Sequence, residues 1–291
     1  MIPEPFEYHV PKTIEEAAQL VAQFGDDGKV LAGGHSLVPL MKLRLASPRH
    51  LVDIARLDGL RYIHEKDGRI EIGALTTHYR IESSSLLKEK CPLLPLTARE
   101  IGDVQVRNKG TLGGSLAHAD PAADWPAAAV GLGAEMKAVS TNGERWIPAS
   151  EFFVDLMMTS LAPGEIVTAV RFPVLPPRSG DAYVKHRHPA SGFAVVGVAA
   201  RVTLDDKGHV QSARVGVTGI APVAYRASGV EQAITGKAPT TKNIEQAASR
   251  AADGIEANGD LYASAEYRAH LVTVYTERAL AAAAEKPGNT N

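Results

Sequence analysis

The chain of 291 residues holds a single cysteine, Cys91. One thiol cannot close an internal disulfide, so nothing here favours secretion. Nor can it hold an iron–sulfur cluster, which takes several thiolates. Any cluster chemistry would sit on another chain, and Cys91, beside Pro92 and two leucines, reads as a buried small hydrophobe. An excess of charge is also missing: 31 Lys and Arg face 33 Asp and Glu, for a formal net charge of −2. A general nucleic-acid binder usually shows a strong basic excess, so that class is disfavoured. No apolar run approaches the roughly 20 residues of a membrane-spanning helix. The opening, from Met1 to Glu7, lacks a basic region followed by an apolar run and is not expected to be a signal peptide. A soluble cytoplasmic protein is the expectation. Two nucleotide signatures are absent. There is no G-x-G-x-x-G, and no G-x-x-x-x-G-K-[ST]. At the nearest approach, Gly236-Lys237, Ala238 replaces the hydroxyl and Gly229 lies too far back. A dinucleotide would need another cradle.

What is present is an ordinary globular pattern, 45% hydrophobic and 22% charged, with room for two or three domains. Thr13 and Glu16 have capping-box spacing, Ile14, Ala17, Ala18, Val21 and Phe24 recur at helical period, and Gly25 follows, so 13–25 is expected to be a helix. A strand at 29–32 leads through two glycines to a helix over 37–45, with Pro39 in its first turn. Strands are expected at 50–54 and 69–74, and helices over 76–102 with a break near Cys91 and Pro92. Residues 121–132 read as an alanine-rich helix capped by Asp120, with Pro121 first. Residues 135–148 read as a hairpin turning at Asn142-Gly143. Three prolines and a glycine between Phe172 and Gly180 mark a domain boundary. Beyond it, 194–204 and 210–220 alternate like paired strands, and helices follow near 226–236, 242–256 and 263–284. The polar tail after 285 is expected to be disordered.

Two glycine pairs carry the chemistry. Ala32-Gly33-Gly34-His35-Ser36 lies between a strand and a helix, and Thr111-Leu112-Gly113-Gly114-Ser115 precedes the helix expected at 121. Each removes Cβ atoms where a ligand can approach the backbone, and each sets free N–H groups beside small hydroxyls. Converging N–H dipoles suit phosphate oxygens, and two such loops suit a pyrophosphate. The plainer reading of either pair alone is a tight turn without a ligand.

Longer stretches extend the pattern. The segment from Ala32 through Leu37, Met41 and Arg44 to Ala46, and that from Gln105 through Thr111, Ala117 and Asp120 to Asp124, resemble the two flavin loops of the FAD-binding medium subunit of the carbon monoxide dehydrogenase and xanthine dehydrogenase (molybdenum hydroxylase) family. Phe6-Glu7-Tyr8-His9-Val10-Pro11 and Ser264-Ala265-Glu266-Tyr267-Arg268 are similar too, so the likeness spans nearly the whole chain. It implies an α+β fold: a two-subdomain FAD-binding fold of the vanillyl-alcohol-oxidase/PCMH type, residues 1–57 and 58–176, plus a C-terminal α+β domain, residues 177–287, with a three-stranded antiparallel sheet, and a tail, 288–291. It implies that residues 32–36 and 111–115 hold the FAD pyrophosphate and ribitol, and that Asp124 accepts hydrogen bonds from the adenosine ribose or nearby cofactor groups. Ile166 or Val167 would pack on adenine, Lys185 would approach the flavin or its phosphates, and Phe193 would lie near the isoalloxazine. Leu37, Ala117 and Asp120 complete the implied cofactor-binding set.

The implied work is electron transfer. A partner small subunit with [2Fe-2S] clusters, fed by a large subunit with the molybdenum cofactor, would pass electrons through FAD to an external acceptor: NAD, a quinone or oxygen. No side chain here need be a general acid or base, so no catalytic residue and no metal ligand is expected. Relatives commonly carry Gly-Asp before the aromatic residue, where this chain has Ser191-Gly192, so that Asp contact is lost or replaced. The cysteine-rich insertion of benzoyl-CoA reductase subunits is ruled out. Ser115, His118 and Asp120 suggest a hydrolytic triad only if geometry joins them. His186 and His188 share one face of an extended strand, but no third metal ligand is evident. His35 suits a flavin or partner contact as well as a bond within its own loop. Trp125 and Trp146 read as core or interface. The alternatives are a free-standing FAD-dependent oxidoreductase of the vanillyl-alcohol-oxidase-like class, and a non-catalytic interaction subunit that has lost FAD.

Overall fold

A computed structural model describes residues 2–285; the expected tail, 288–291, lies outside them. Three parallel strands, β1 (Glu7–His9), β2 (Gly28–Leu31) and β3 (His50–Asp53), pair in the order β1-β3-β2. Helix α1 (Ile14–Phe24) links the first two. The Thr13 side chain accepts a hydrogen bond from the Glu16 N–H, and Gly25 closes the helix with φ +52°. Ala17 and Ala18 cluster with Val52 and Ile54, and this small core continues into Leu75, just past the strand Arg69–Gly73, and Ile166 of the next sheet. Helix α2 (Leu37–Lys42) is shorter than expected. Arg44 turns left-handed, and the Leu45 N–H reaches back to the Leu40 carbonyl, a closure that ends a helix.

The second sheet is antiparallel, in the order β4-β5-β10-β6-β7. Its strands are β4 (Ile63–Lys66), β5 (Arg69–Gly73), β6 (Glu135–Ser140), β7 (Gly143–Pro148) and β10 (Ile166–Pro173); β8 (Phe153–Asp155) and β9 (Met158–Thr159) form a separate hairpin. Between β5 and β6 run α3 (His78–Ser83), α4 (Ser85–Lys90), α5 (Leu93–Arg99), α6 (Val104–Lys109), α7 (Leu112–His118) and α8 (Asp124–Leu132). The one-turn α9 (Ala149–Phe152) follows β7. The β6–β7 turn falls one residue earlier than expected: Ser140 pairs with Gly143, the turn residues are Thr141 and Asn142, and positive φ occurs at Gly143.

Helix α8 also departs from expectation. It starts at Asp124, three residues late, and Ala123 is its cap residue. Asp120 instead accepts from the Ala122 N–H within a turn. The reason is tertiary. The Pro121 carbonyl accepts from the Thr218 hydroxyl and the Gly219 N–H, the Ala122 carbonyl from the Ala194 N–H, and the Ala123 carbonyl from the Thr218 hydroxyl. These bonds hold residues 121–123 out of helical geometry, with Ala123 extended at φ −72° and ψ 152°. Every residue of α8 is buried, as its composition demands: a helix apolar all round must sit inside.

The C-terminal unit holds β11 (Ser179–Arg187), β12 (Ala194–Leu204), β13 (Val210–Thr218) and β14 (Tyr225–Arg226), antiparallel in that order. The two-residue β14 is one strand more than expected. Helices α10 (Ser228–Ile234), α11 (Thr241–Ala248) and the 20-residue α12 (Ala265–Ala284) complete it. A buried ion pair ties this unit to the second. Arg201 donates to both oxygens of Asp181 (2.7 and 2.8 Å) and to the Val174 carbonyl, and Asp181 also accepts from the Leu93 N–H. Cys91 lies beneath Arg201, and burial pushes its thiol up to about 12, so it is no nucleophile at neutral pH.

Candidate cofactor site

The first glycine loop leaves β2 and enters α2. Gly34 has φ +73°, the left-handed region that favours glycine. Gly33 is required for a different reason: a Cβ there would lie 2.2 Å from the Lys109 carbonyl oxygen. The missing side chain lets the first loop lie against the segment leading into the second; the space serves packing rather than a ligand. The His35 ring nitrogen Nδ1 meets the Gly33 carbonyl at 2.9 Å, which braces the bend. Among the described residues, no acceptor is hydrogen-bonded to the backbone N–H of Gly33, Gly34, His35, Ser36 or Leu37. The Ser36 side chain makes no capping bond either. Unpaired donors gathered on one bend form an anion-binding nest.

The second loop does not repeat this arrangement. The N–H groups of Leu112, Gly113, Gly114 and Ser115 are taken by the Thr76 carbonyl, the Ala74 carbonyl, the Thr111 hydroxyl and the Thr111 carbonyl. The expectation of two equivalent main-chain cradles is therefore corrected. The second loop became the first turns of α7, and a helix start capped by Thr111 consumes the donors that a free loop would offer. It contributes small side chains and the Ser115 hydroxyl.

Between the loops opens a cavity of about 650 Å³, within the range of cofactor sites. Ala32, Gly33, Gly34, His35, Ser36 and Leu37 line one wall; Thr111, Gly113, Gly114, Ser115, Ala117, Asp120 and Asp124 line another. Ile166 and Val167, at the start of β10, and Phe193, in the β11–β12 connection, complete the expected set on its surface. Two expected residues are not on the walls. Leu112 is wholly buried in the core. The Lys185 ammonium lies behind the wall, donating to Asp124 and to the Glu100 carbonyl, both at 2.9 Å. Its side chain is 1% exposed.

Asp124 is thus a junction between α8 and β11. Its second oxygen accepts from the Tyr183 hydroxyl at 2.6 Å. Burial pushes the Asp124 carboxyl up to about 6, while Lys185 and Tyr183 pull it back down. His78, on the cavity wall, escaped notice in the sequence because a lone histidine on a short amphipathic helix carries no signal. Its Nδ1 accepts from the Trp125 indole N–H at 3.1 Å, and Trp125 is core. Burial, the largest cause, with the Arg107 guanidinium adding to it, holds His78 down to about 3, so it is neutral in the fold. Trp146 lies under the Arg171 guanidinium, 4.1 Å from its ring centre.

The other chemistry suggested by spacing does not assemble. Asp120 bonds its own turn, and no hydrogen bond joins Ser115, His118 and Asp120 among the described residues. His186 meets the Tyr275 hydroxyl, and His188 accepts from the N–H groups of Ala190 and Ser191, so the pair does not converge on a metal.

A cavity between the first two lobes, with unpaired N–H donors on one wall, suits an anionic cofactor. Residues 4–175 match the family described as the FAD binding domain in molybdopterin dehydrogenase, and residues 181–283 match the CO dehydrogenase flavoprotein C-terminal domain. The chain belongs to this family: it is a medium, FAD-binding subunit of the molybdenum hydroxylase type, and its enzymatic class is oxidoreductase. The carbon monoxide dehydrogenase medium chain of Hydrogenophaga pseudoflava is 40% identical over 97% of this chain and 98% of its own length. The 6-hydroxypseudooxynicotine dehydrogenase complex subunit alpha of Paenarthrobacter nicotinovorans is also 40% identical, over 97% and 96%. A solved structure of carbon monoxide dehydrogenase from Hydrogenophaga pseudoflava superposes with a TM-score of 0.95, covering 99% of this chain and 100% of that one. No described helix is long and apolar enough to cross a membrane.

Proposed function

We propose that this chain holds FAD in the cavity between its first two lobes and relays electrons within a multi-subunit molybdenum hydroxylase. They would come from [2Fe-2S] clusters on a small partner, fed by a large molybdenum-cofactor subunit, and leave to NAD, a quinone or oxygen. The observation that carries this reading is the row of unpaired N–H groups from Gly33 to Leu37 on the cavity wall. Bound flavin accepts electrons singly or in pairs, which is the chemistry a relay needs. The chain's own residues supply binding and position. The N–H groups of 33–37 and the hydroxyls of Ser36 and Ser115 would hold the diphosphate and ribitol. Ile166 and Val167 would pack on the adenine, and Phe193 would cover the flavin rim. Asp124 would meet the cofactor, with Lys185 and Tyr183 holding its carboxylate in place; Lys185 acts through Asp124. Leu112 packs beneath the second loop. The proposed lobes are residues 1–57, 58–176 and 177–287.

The hydroxylated substrate belongs to a partner in this reading. Two relatives of equal identity carry names with different substrates, carbon monoxide and 6-hydroxypseudooxynicotine.

A charge placed in the nest tests the site. The Ser36 side chain makes no capping hydrogen bond, so Ser36→Asp should fold normally, and Asp is a good residue at a helix cap. A carboxylate facing a diphosphate should weaken FAD binding by at least about tenfold, equivalent to about 1.4 kcal/mol. FAD titration of the cofactor-stripped chain reads this. Undiminished binding by Ser36→Asp would count against the nest. An FAD-loaded chain that never co-purifies with molybdenum and iron would count against the relay.

A further inference from the structure

We propose a second site, unrelated to the cofactor cavity: a transition-metal site of the Zn²⁺ class formed by Glu7, His9 and His50. The sheet builds it. Glu7 and His9 are two apart on β1 and so share one face, and β3 places His50 directly beside Glu7 in parallel register. Tyr8, pointing to the opposite face, hydrogen-bonds Asp53 there and holds the two strands in step.

The donor atoms have the spacing a metal imposes. His9 Nε2 and His50 Nδ1 are 3.2 Å apart, His50 Nδ1 and Glu7 Oε2 are 3.4 Å apart, and His9 Nε2 and Glu7 Oε2 are 3.7 Å apart. Bonds of about 2.0–2.1 Å at tetrahedral angles set ligand atoms about 3.3–3.4 Å from one another. The three atoms therefore close a triangle with an ion above it after shifts of a few tenths of an ångström. Among the described residues this is the one group of histidine, cysteine or carboxylate donors so gathered. Two imidazoles and one carboxylate suit zinc or a similar borderline ion better than calcium or magnesium, which prefer oxygen.

The surroundings fit a three-ligand site with an open fourth position. Phe24 stacks on His50, with ring centres 3.9 Å apart and planes 8° apart, and touches His9 at 4.7 Å, so both imidazoles are oriented from behind. The Glu7 side chain is 72% exposed, which leaves the ion's remaining face to water. The structural consequence is a clamp. The three-residue β1 is an edge strand, and a metal bridging it to β3 would fasten residues 7–9 to the sheet.

Zinc itself is the probe. The flavin-loaded full-length chain, free of any histidine tag and dialysed against chelator, is titrated with ZnCl₂ by calorimetry, beside Glu7→Gln, His9→Gln and His50→Gln. Circular dichroism and flavin content serve as fold controls; the exposed Glu7→Gln preserves the packing of both rings. The expected result is a Zn²⁺ equivalent bound by the wild type and weakened at least about tenfold in each variant, since even indirect supports of a metal ligand are worth that much. The wild type alone should gain thermal stability with zinc. Wild type that binds no zinc, or a folded Glu7→Gln that binds it as tightly as wild type, would overturn the site and leave an ordinary hydrogen-bonded histidine pair.

Discussion

His78 makes the stability of this protein depend on mild acid in a way that can be calculated. Its ring is 4% exposed, accepts from Trp125, and is neutral in the fold with a pKa near 3, against 6.5 for the free side chain. Because the folded value is the lower one, the unfolded chain takes up the proton first as pH falls. The stability owed to neutral burial is complete above about pH 6.5 and is lost progressively toward pH 3. At about pH 5 the unfolded histidine is favoured by about 1.5 units, or about 2 kcal/mol at 1.36 kcal/mol per unit. At about pH 7.5 the same sum is close to zero. Urea unfolding of wild type and His78→Gln at both pH values isolates this contribution, since every other titrating group is common to the two. Wild type should lose about 2 kcal/mol more than the variant on going to pH 5. The carbonyl of Gly110 accepts from the His78 backbone, and the second cofactor loop follows directly, so flavin release should track the same pH range. Parallel pH profiles for the two proteins would show that His78 is not a buried neutral group and would refute the argument.

Asp124→Asn leaves the Lys185 ammonium buried against the Glu100 carbonyl and a neutral amide; the expected cost is about 3–5 kcal/mol in urea unfolding, most of it recovered by adding Lys185→Met. Arg201→Met strands Asp181 with the Leu93 N–H as its remaining donor and should cost a similar amount, about 3–5 kcal/mol, read from the urea midpoint. Gly34→Val forces a β-branched residue into φ +73°, with its Cβ 3.2 Å from Val38; at least about 1–2 kcal/mol of strain is expected, together with less flavin per chain by absorbance. Gly34→Asn should be milder on both counts, because asparagine tolerates that conformation.

Local sequence determined most of the elements and the place of the first cofactor loop. Thr13 with Glu16, the alternation through 194–204 and the prolines after Phe172 are signals read within a few residues, and the elements formed where those signals stand. Residues 33–36 were legible because a strand, two glycines and a hydroxyl leave main-chain donors that no neighbour in sequence can satisfy. Tertiary structure decided the rest. Whether an N–H is free depends on what lies across from it, and Ala74 and Thr76, distant in the chain, silence the second loop. Helix α8 begins late because strand ends from the C-terminal unit claim the carbonyls before it. Lys185, expected at the cofactor, turns to Asp124 because a buried ammonium needs a carboxylate more than a view of the cavity. Glu7, His9 and His50 meet only because two parallel strands lie side by side, a pairing that no local pattern encodes.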